Sequence, residues 1–259
     1  MKIALIDSGI GLLAATAALR ALRPDADLVL STDPDGMPWG PRTPDDVAEH
    51  ALACARAAAA HRPAALIVAC NTASVHALDA IRAELEPGIP VIGTVPAIKP
   101  AAAGGGPVAI WATPATTGSA YQRGLIRDFA DGVEVAEIPC PGLADAVERA
   151  DEAAVDAAVA AAAALTPGGI RALVLGCTHY ELLHDRIRAA LGRGPEEPAL
   201  HGSAHAVAGQ ALRRADPSAV ATTGTGSLLV LRSGRTEPLD PVVLHYPEGR
   251  TLLTAAARV

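Results

Sequence analysis

Short apolar runs recur along the chain, each closed by a small or polar residue, and longer stretches with a helical pattern lie between them. The runs Lys2–Ile6, Asp27–Ser31, Ala65–Ala69, Val91–Gly93, Val108–Trp111, Val133–Ile138 and Ala172–Leu175 predict strands. The stretches Leu12–Leu22, Pro44–His61, Ser74–Leu85, Leu143–Leu165, Glu181–Leu191 and Ala204–Ala215 predict helices. Strand–helix alternation of this kind implies an α/β fold with parallel sheets covered on both faces. After about Ala219 the pattern changes. Leu228–Leu231 and Val242–Leu244 read as short strands among Gly/Thr-rich turns, predicting a small β addition or a strand pair.

Pro100–Pro107, with three alanines and three glycines inside it, is the best linker candidate. The motifs on its two sides look alike. Before it, Ile3-Ala4-Leu5-Ile6-Asp7-Ser8-Gly9 opens the chain and Ile67-Val68-Ala69-Cys70-Asn71-Thr72 closes a later strand. After it, Val108-Ala109-Ile110-Trp111-Ala112-Thr113-Pro114 opens a strand and Val174-Leu175-Gly176-Cys177-Thr178-His179 closes a later one. The expectation is two similar α/β domains facing each other, divided as 1–98 with 205–259 and 99–204.

Half of the 259 residues are apolar, enough for one large core or two smaller ones. Aromatic residues are only 2%, so the core must be packed by Ala, Val, Leu and Ile. The net charge of −7, with Arg and Lys scattered singly, speaks against a nucleic-acid or anionic-membrane partner. The four cysteines lack CxxC spacing and read as neither a disulfide framework nor a metal site. Asp7 interrupts the opening apolar stretch, which therefore reads as a first strand and not as a signal peptide. The expectation is a soluble cytoplasmic protein with reduced thiols.

Cys70 and Cys177 each follow an apolar strand and precede a helical pattern. Strand carboxyl ends are where open α/β sheets bind ligands. A helix N-terminus also favours a thiolate, and Asn71, Thr72 and Thr178 are capping and anion-binding types there. A cysteine at the end of an apolar strand is ordinarily a small buried hydrophobe; two in matching settings ask for a second account. Cys54, mid-helix among alanines, and Cys140, between prolines, read as structural. Two thiols on opposite faces of one carbon suit inversion: one thiolate removes the α-proton and the other thiol delivers a proton from the far side. Asp7 and His179 are candidate proton acceptors or orienters, although a histidine beside a strand end is often merely hydrogen-bonded.

These motifs, together with Ile6-Asp7-Ser8-Gly9-Ile10-Gly11, Pro38-Trp39-Gly40, Pro90-Val91-Ile92-Gly93, Ala115-Thr116 with Ser119 and Tyr121, and Cys140-Pro141, resemble the glutamate racemase family. That family lies within the cofactor-independent aspartate/glutamate racemase superfamily. The resemblance runs in order from residue 1 to about 215. It implies two α/β domains related by pseudo-twofold symmetry with the active site between them, commonly as a homodimer. It implies no cofactor and no metal, and a cytoplasmic supply of D-glutamate for peptidoglycan. On this resemblance Cys70 acts on the D-enantiomer and Cys177 on the L-enantiomer, assisted by Asp7 and His179. Ser8, Pro38, Trp39, Gly40, Asn71, Thr72, Thr116 and Thr178 match residues that hold the amino acid. Glu148 matches a family glutamate near the site and equally suits an exposed helix acid.

The chain departs from the family pattern in three places. Leu12 stands where the family has glycine, and Trp39 stands where it has tyrosine. The stretch after about residue 215 does not read like the family's ending. Two other readings follow: a racemase or epimerase for another amino acid, motivated by Leu12 and Trp39, and a non-catalytic binder of a small acid or a protein. A hydrolase with a single Cys–His pair would leave the second cysteine unexplained.

Overall fold

The computed structural model describes residues 1–192, 197–215 and 223–256. In chain order its elements begin with β1 (Lys2–Ile6), α1 (Leu13–Leu22), β2 (Asp27–Thr32), α2 (Pro44–Ala59), β3 (Ala65–Val68), α3 (Asn71–His76), α4 (Leu78–Leu85) and β4 (Val91–Gly93). Then come α5 (Ile98–Ala103), β5 (Val108–Ala112), α6 (Ala120–Phe129), β6 (Val135–Pro139), α7 (Leu143–Glu148), α8 (Glu152–Leu165), β7 (Ala172–Leu175), α9 (His184–Leu191) and β8 (Ala199–His201). The described chain closes with α10 (Ala204–Arg214), β9 (Leu228–Arg232), β10 (Arg235–Thr236) and α11 (Pro247–Ala256).

These elements fall into two compact units, Met1–Val95 with Ala204–Val259, and Pro96–Ser203. Among the described residues the first unit holds a sheet ordered β10-β9-β2-β1-β3-β4, and the second a sheet ordered β6-β5-β7-β8. Apart from the antiparallel β9–β10 hairpin, all pairings are parallel. The inner four strands of the first sheet, β2-β1-β3-β4, and the four of the second thus share one order. The central strands β1, β3, β5 and β7 are almost wholly buried, as continuous apolar runs require. Aliphatic side chains and alanines dominate both cores. Among the described residues no helix is long and apolar enough to cross a membrane.

The differences from the sequence expectations have local causes. Val242–Leu244 is a 3-10 turn, Pro241–His245, and not a strand. The Asp240 carboxylate accepts the Val242 N–H at 3.0 Å, and Pro241 takes the first position, where a missing N–H costs nothing. Leu143–Leu165 is two helices, parted where Ala150 takes φ +49° and Asp151 caps α8 by accepting the Ala154 N–H at 3.1 Å. Ser74–Leu85 starts earlier, at Asn71, and is broken at Ala77. The first part of Glu181–Leu191 belongs to a 3-10 turn, Thr178–Leu183. The linker candidate Pro100–Pro107 is helical over its first half, because Pro100 sits in the first turn of α5 where its absent N–H is not needed. The pattern left α6, β8, β10 and α11 unannounced, and the stretch expected to be a small β addition also contains a helix, α11. Ser119 starts α6 by accepting the Gln122 N–H at 3.1 Å, and β8 has only three residues.

Candidate active site

Each cysteine sits two residues beyond the third strand of its unit, Cys70 after β3 and Cys177 after β7. Both are N-cap residues in the extended region, with φ −139° and ψ 124° at Cys70 and φ −139° and ψ 137° at Cys177. The cause is shared: an apolar strand delivers the chain directly to a polar turn. Both cysteines are buried, 8% and 9% exposed. At Gly176 an added Cβ would stand 2.8 Å from the Trp111 carbonyl oxygen, so only glycine lets the second turn leave its strand this closely.

In the second unit the sequence candidates Cys177, His179 and Glu148 come together. His179 Nδ1 lies 3.8 Å from Cys177 Sγ, and His179 Nε2 lies 2.8 Å from Glu148 Oε2. Glu148 is therefore not an exposed helix acid; it ends α7 facing the histidine, with its side chain 17% exposed. A carboxylate on Nε2 holds the proton on that nitrogen and leaves Nδ1 as the acceptor that faces the thiol. Tyr180 runs beneath, its hydroxyl donating to the Cys140 carbonyl at 3.3 Å. Burial, reinforced by the neighbouring Cys177, pushes the Cys140 thiol up to about 12. Cys54 is pushed equally high by burial and by Asp33. Both therefore stay protonated at neutral pH.

In the first unit β1 and β3 are neighbours, and the Ala69 N–H donates to the Ile6 carbonyl at 2.8 Å. This pairing brings the loop Asp7–Ser8 alongside the Cys70 turn. Asp7 is fully buried, and its carboxylate accepts the Ser8 N–H at 2.7 Å. Asn71 is buried and Thr72 half-buried at the start of α3. Thr178 is buried at the matching place in the second unit. Thr116 follows β5, its hydroxyl 3.2 Å from that of Thr113.

Pro38 and Gly40 are accessible, but Trp39 between them points into the core and is 1% exposed. Its indole N–H donates to Asp33 Oδ2 at 3.0 Å. The same carboxylate meets His50 Nδ1 at 2.7 Å and accepts from the Gly36 N–H and the Ser233 hydroxyl, each at 3.2 Å. The Asp33 N–H in turn donates to the Ser8 carbonyl at 3.1 Å. Asp33 thus shapes the loop that carries Pro38 and Gly40. Sequence reasoning missed it; the signal was an acid six residues before an aromatic in a Gly/Pro-rich loop. Leu12, the other departure, is also buried, at the entry to α1.

The sequence pattern of the Asp/Glu/Hydantoin racemase family matches residues 12–208. A glutamate racemase of Roseiflexus sp. is 40% identical over 198 residues, covering 73% of this chain and 71% of its own. A glutamate racemase of Sphingopyxis alaskensis is 34% identical over 253 residues, covering 94% and 92%. Among solved structures, Escherichia coli glutamate racemase in complex with L-glutamate and the activator UDP-MurNAc-Ala matches with a TM-score of 0.77 at 26% identity. That match covers 99% of this chain and 94% of the other.

Proposed function

The chain belongs to the Asp/Glu/hydantoin racemase family, and on that footing we propose that it interconverts L- and D-glutamate with Cys70 and Cys177 as opposed proton-transfer thiols. The observation that carries the two-thiol reading is the repetition itself. Two cysteines take the same backbone conformation at the same place in two sheets of the same strand order.

With L-glutamate, His179 Nδ1 accepts the Cys177 proton and Glu148 stabilises the imidazolium through Nε2. The thiolate then takes the α-proton, and the Cys70 thiol gives its proton to the opposite face of the carbanion. Cys177 ends as thiol and Cys70 as thiolate, the state that removes the α-proton of D-glutamate in reverse. Asp7 serves the Cys70 side. The α-proton is far less acidic than a thiol, so N–H groups at the starts of α3 and of the Thr178–Leu183 turn must receive the developing charge and the carboxylates. Ser8, Pro38, Gly40, Asn71, Thr72, Thr116 and Thr178 are the proposed substrate contacts.

Trp39 and Leu12 are both buried, and the indole N–H is taken by Asp33. Their inward placement supports glutamate over a different amino acid. A cytoplasmic homodimer making D-glutamate for peptidoglycan belongs to the same reading, on the resemblance to the family; light scattering tests the dimer. The decisive assay follows α-proton exchange of each amino acid in deuterated water. Exchange of glutamate from both enantiomers is expected. Exchange of an apolar amino acid with none of glutamate would overturn the substrate.

A further inference from the structure

We propose that Ser74 and Glu181 are matched positioning residues, each tying one thiol turn to the segment that leaves the next strand of its own sheet. The proposal rests on the two-thiol reading for its catalytic meaning, but its geometry stands apart from it. Each residue is the fourth after its cysteine. Ser74 Oγ accepts the Thr94 N–H at 2.9 Å and lies 3.1 Å from the Thr94 hydroxyl. Glu181 Oε1 accepts the Ser203 N–H at 2.8 Å and the Ser203 hydroxyl at 2.7 Å. Thr94 follows β4 and Ser203 follows β8, the strands that lie next to β3 and β7 on the same side of each sheet.

The repetition extends to the residue before each hydroxyl, which is glycine in both units. A Cβ on Gly93 would stand 3.3 Å from Ser74 Oγ and 2.6 Å from Leu78 Cδ2. A Cβ on Gly202 would collide with Glu181 Oε2. Gly202 therefore makes room for its brace, whereas at Gly93 the closest obstacle is Leu78 with Ser74 Oγ just beyond it. The chemistry differs: one unit uses a hydroxyl and the other a carboxylate that is only 6% exposed. Placing a carboxylate in so dry a position is costly, and a leucine or methionine would fill the space more cheaply. Both donors of one serine aim at one of its oxygens, an arrangement that fits a part setting the position of the turn ahead of it.

The effect should therefore be confined to one thiol at a time. In the intact protein, Ser74→Ala and Thr94→Ala should change the alkylation rate of Cys70 by about tenfold and leave Cys177 within about twofold, the scale of one lost hydrogen bond. Glu181→Leu and Ser203→Ala should do the reverse, with the two rates read separately by peptide mass spectrometry. Ser74→Thr should restore the wild-type rate at Cys70. On substrate, α-proton exchange in deuterated water should slow from D-glutamate in the Ser74 and Thr94 variants and from L-glutamate in the Glu181 and Ser203 variants, while net racemisation, whose equilibrium constant is one, falls equally in kcat/KM for both directions. Should Glu181→Leu fail to fold, Ser203→Ala probes the same brace from its other end. Equal changes at both cysteines, or none at either, would overturn the proposal. Absence of glutamate exchange in the wild type would instead overturn the two-thiol reading, while the alkylation rates would still judge the braces.

Discussion

Cys70 and Cys177 leave their strands with the same φ and nearly the same ψ, yet the groups placed to serve them differ in kind. Beside Cys177, two residues on in the same turn, stands His179, whose ring is held by Glu148 from a helix of the same unit. On the Cys70 side the corresponding position is Thr72, and the ionisable candidate, Asp7, arrives from the neighbouring strand. The braces differ likewise, Ser74 on one side and Glu181 on the other. Backbone placement is repeated while the neighbouring ionisable groups are not. A reaction that runs through one carbon from two faces needs the two thiols equally well placed. It does not need them to be ionised by the same kind of group.

The largest expected effect comes from removing either thiol. Cys70→Ser and Cys177→Ser should each lower racemisation by about 10³-fold, with opposite enantiomer preferences in residual α-proton exchange. Identical preferences would erase the assigned difference between the sides. Next, Glu148→Gln should slow α-proton exchange from L-glutamate by about 10²-fold and leave exchange from D-glutamate within about twofold, since it unfixes His179. A symmetric loss would mean that Glu148 supports the fold and not one thiol. Trp39→Phe should cost about 1 kcal/mol in urea unfolding by removing the donor to Asp33, with little change in enantiomer balance.

The smallest expected effect is an acid response limited to one unit. Burial raises the Asp27 carboxyl, but hydrogen bonds from Ser227 and Thr225 outweigh it and hold it down to about 2. A carboxyl depressed on folding contributes stability above its ordinary range, lost as pH falls from about 4 towards 2. Amide exchange along β9 should therefore quicken between those limits while β5 and β7 stay protected. Equal loss in both sheets would contradict this.

Much of this was legible in the sequence, for identifiable reasons. Strands buried on both faces show as unbroken apolar runs, so β1, β2, β3, β5 and β7 stood out, and a cysteine just past such a run marks a strand end. Short or polar elements did not stand out: β8 has three residues, and α6 carries a polar sequence started by a serine cap. The break at Ala150 is set locally by the Asp151 cap, and the break at Ala77 follows a run of weak helix formers, Asn71–His76; neither is marked by a glycine or a proline. In the candidate site, Glu148 was ambiguous because a helix acid looks the same from sequence whether it faces water or a histidine. Glu181 and part of the setting of Asp33 escaped notice because the partners are distant in the chain: Ser233 lies 200 residues from Asp33, although Trp39 lies only six away.

That separation has a consequence for the order in which the chain is made. The unit Pro96–Ser203 is one continuous segment, complete as soon as it is synthesised. The other unit waits. The free side of β2 meets β9 only through pairs such as Leu28 with Leu228, and the buried Arg20 guanidinium reaches the Ser227 carbonyl at 3.4 Å. Until the last part of the chain leaves the ribosome, β2 presents an open hydrogen-bonding edge, a hazard for aggregation. The half that carries Cys177 is thus able to mature early, and the half that carries Cys70 is finished last.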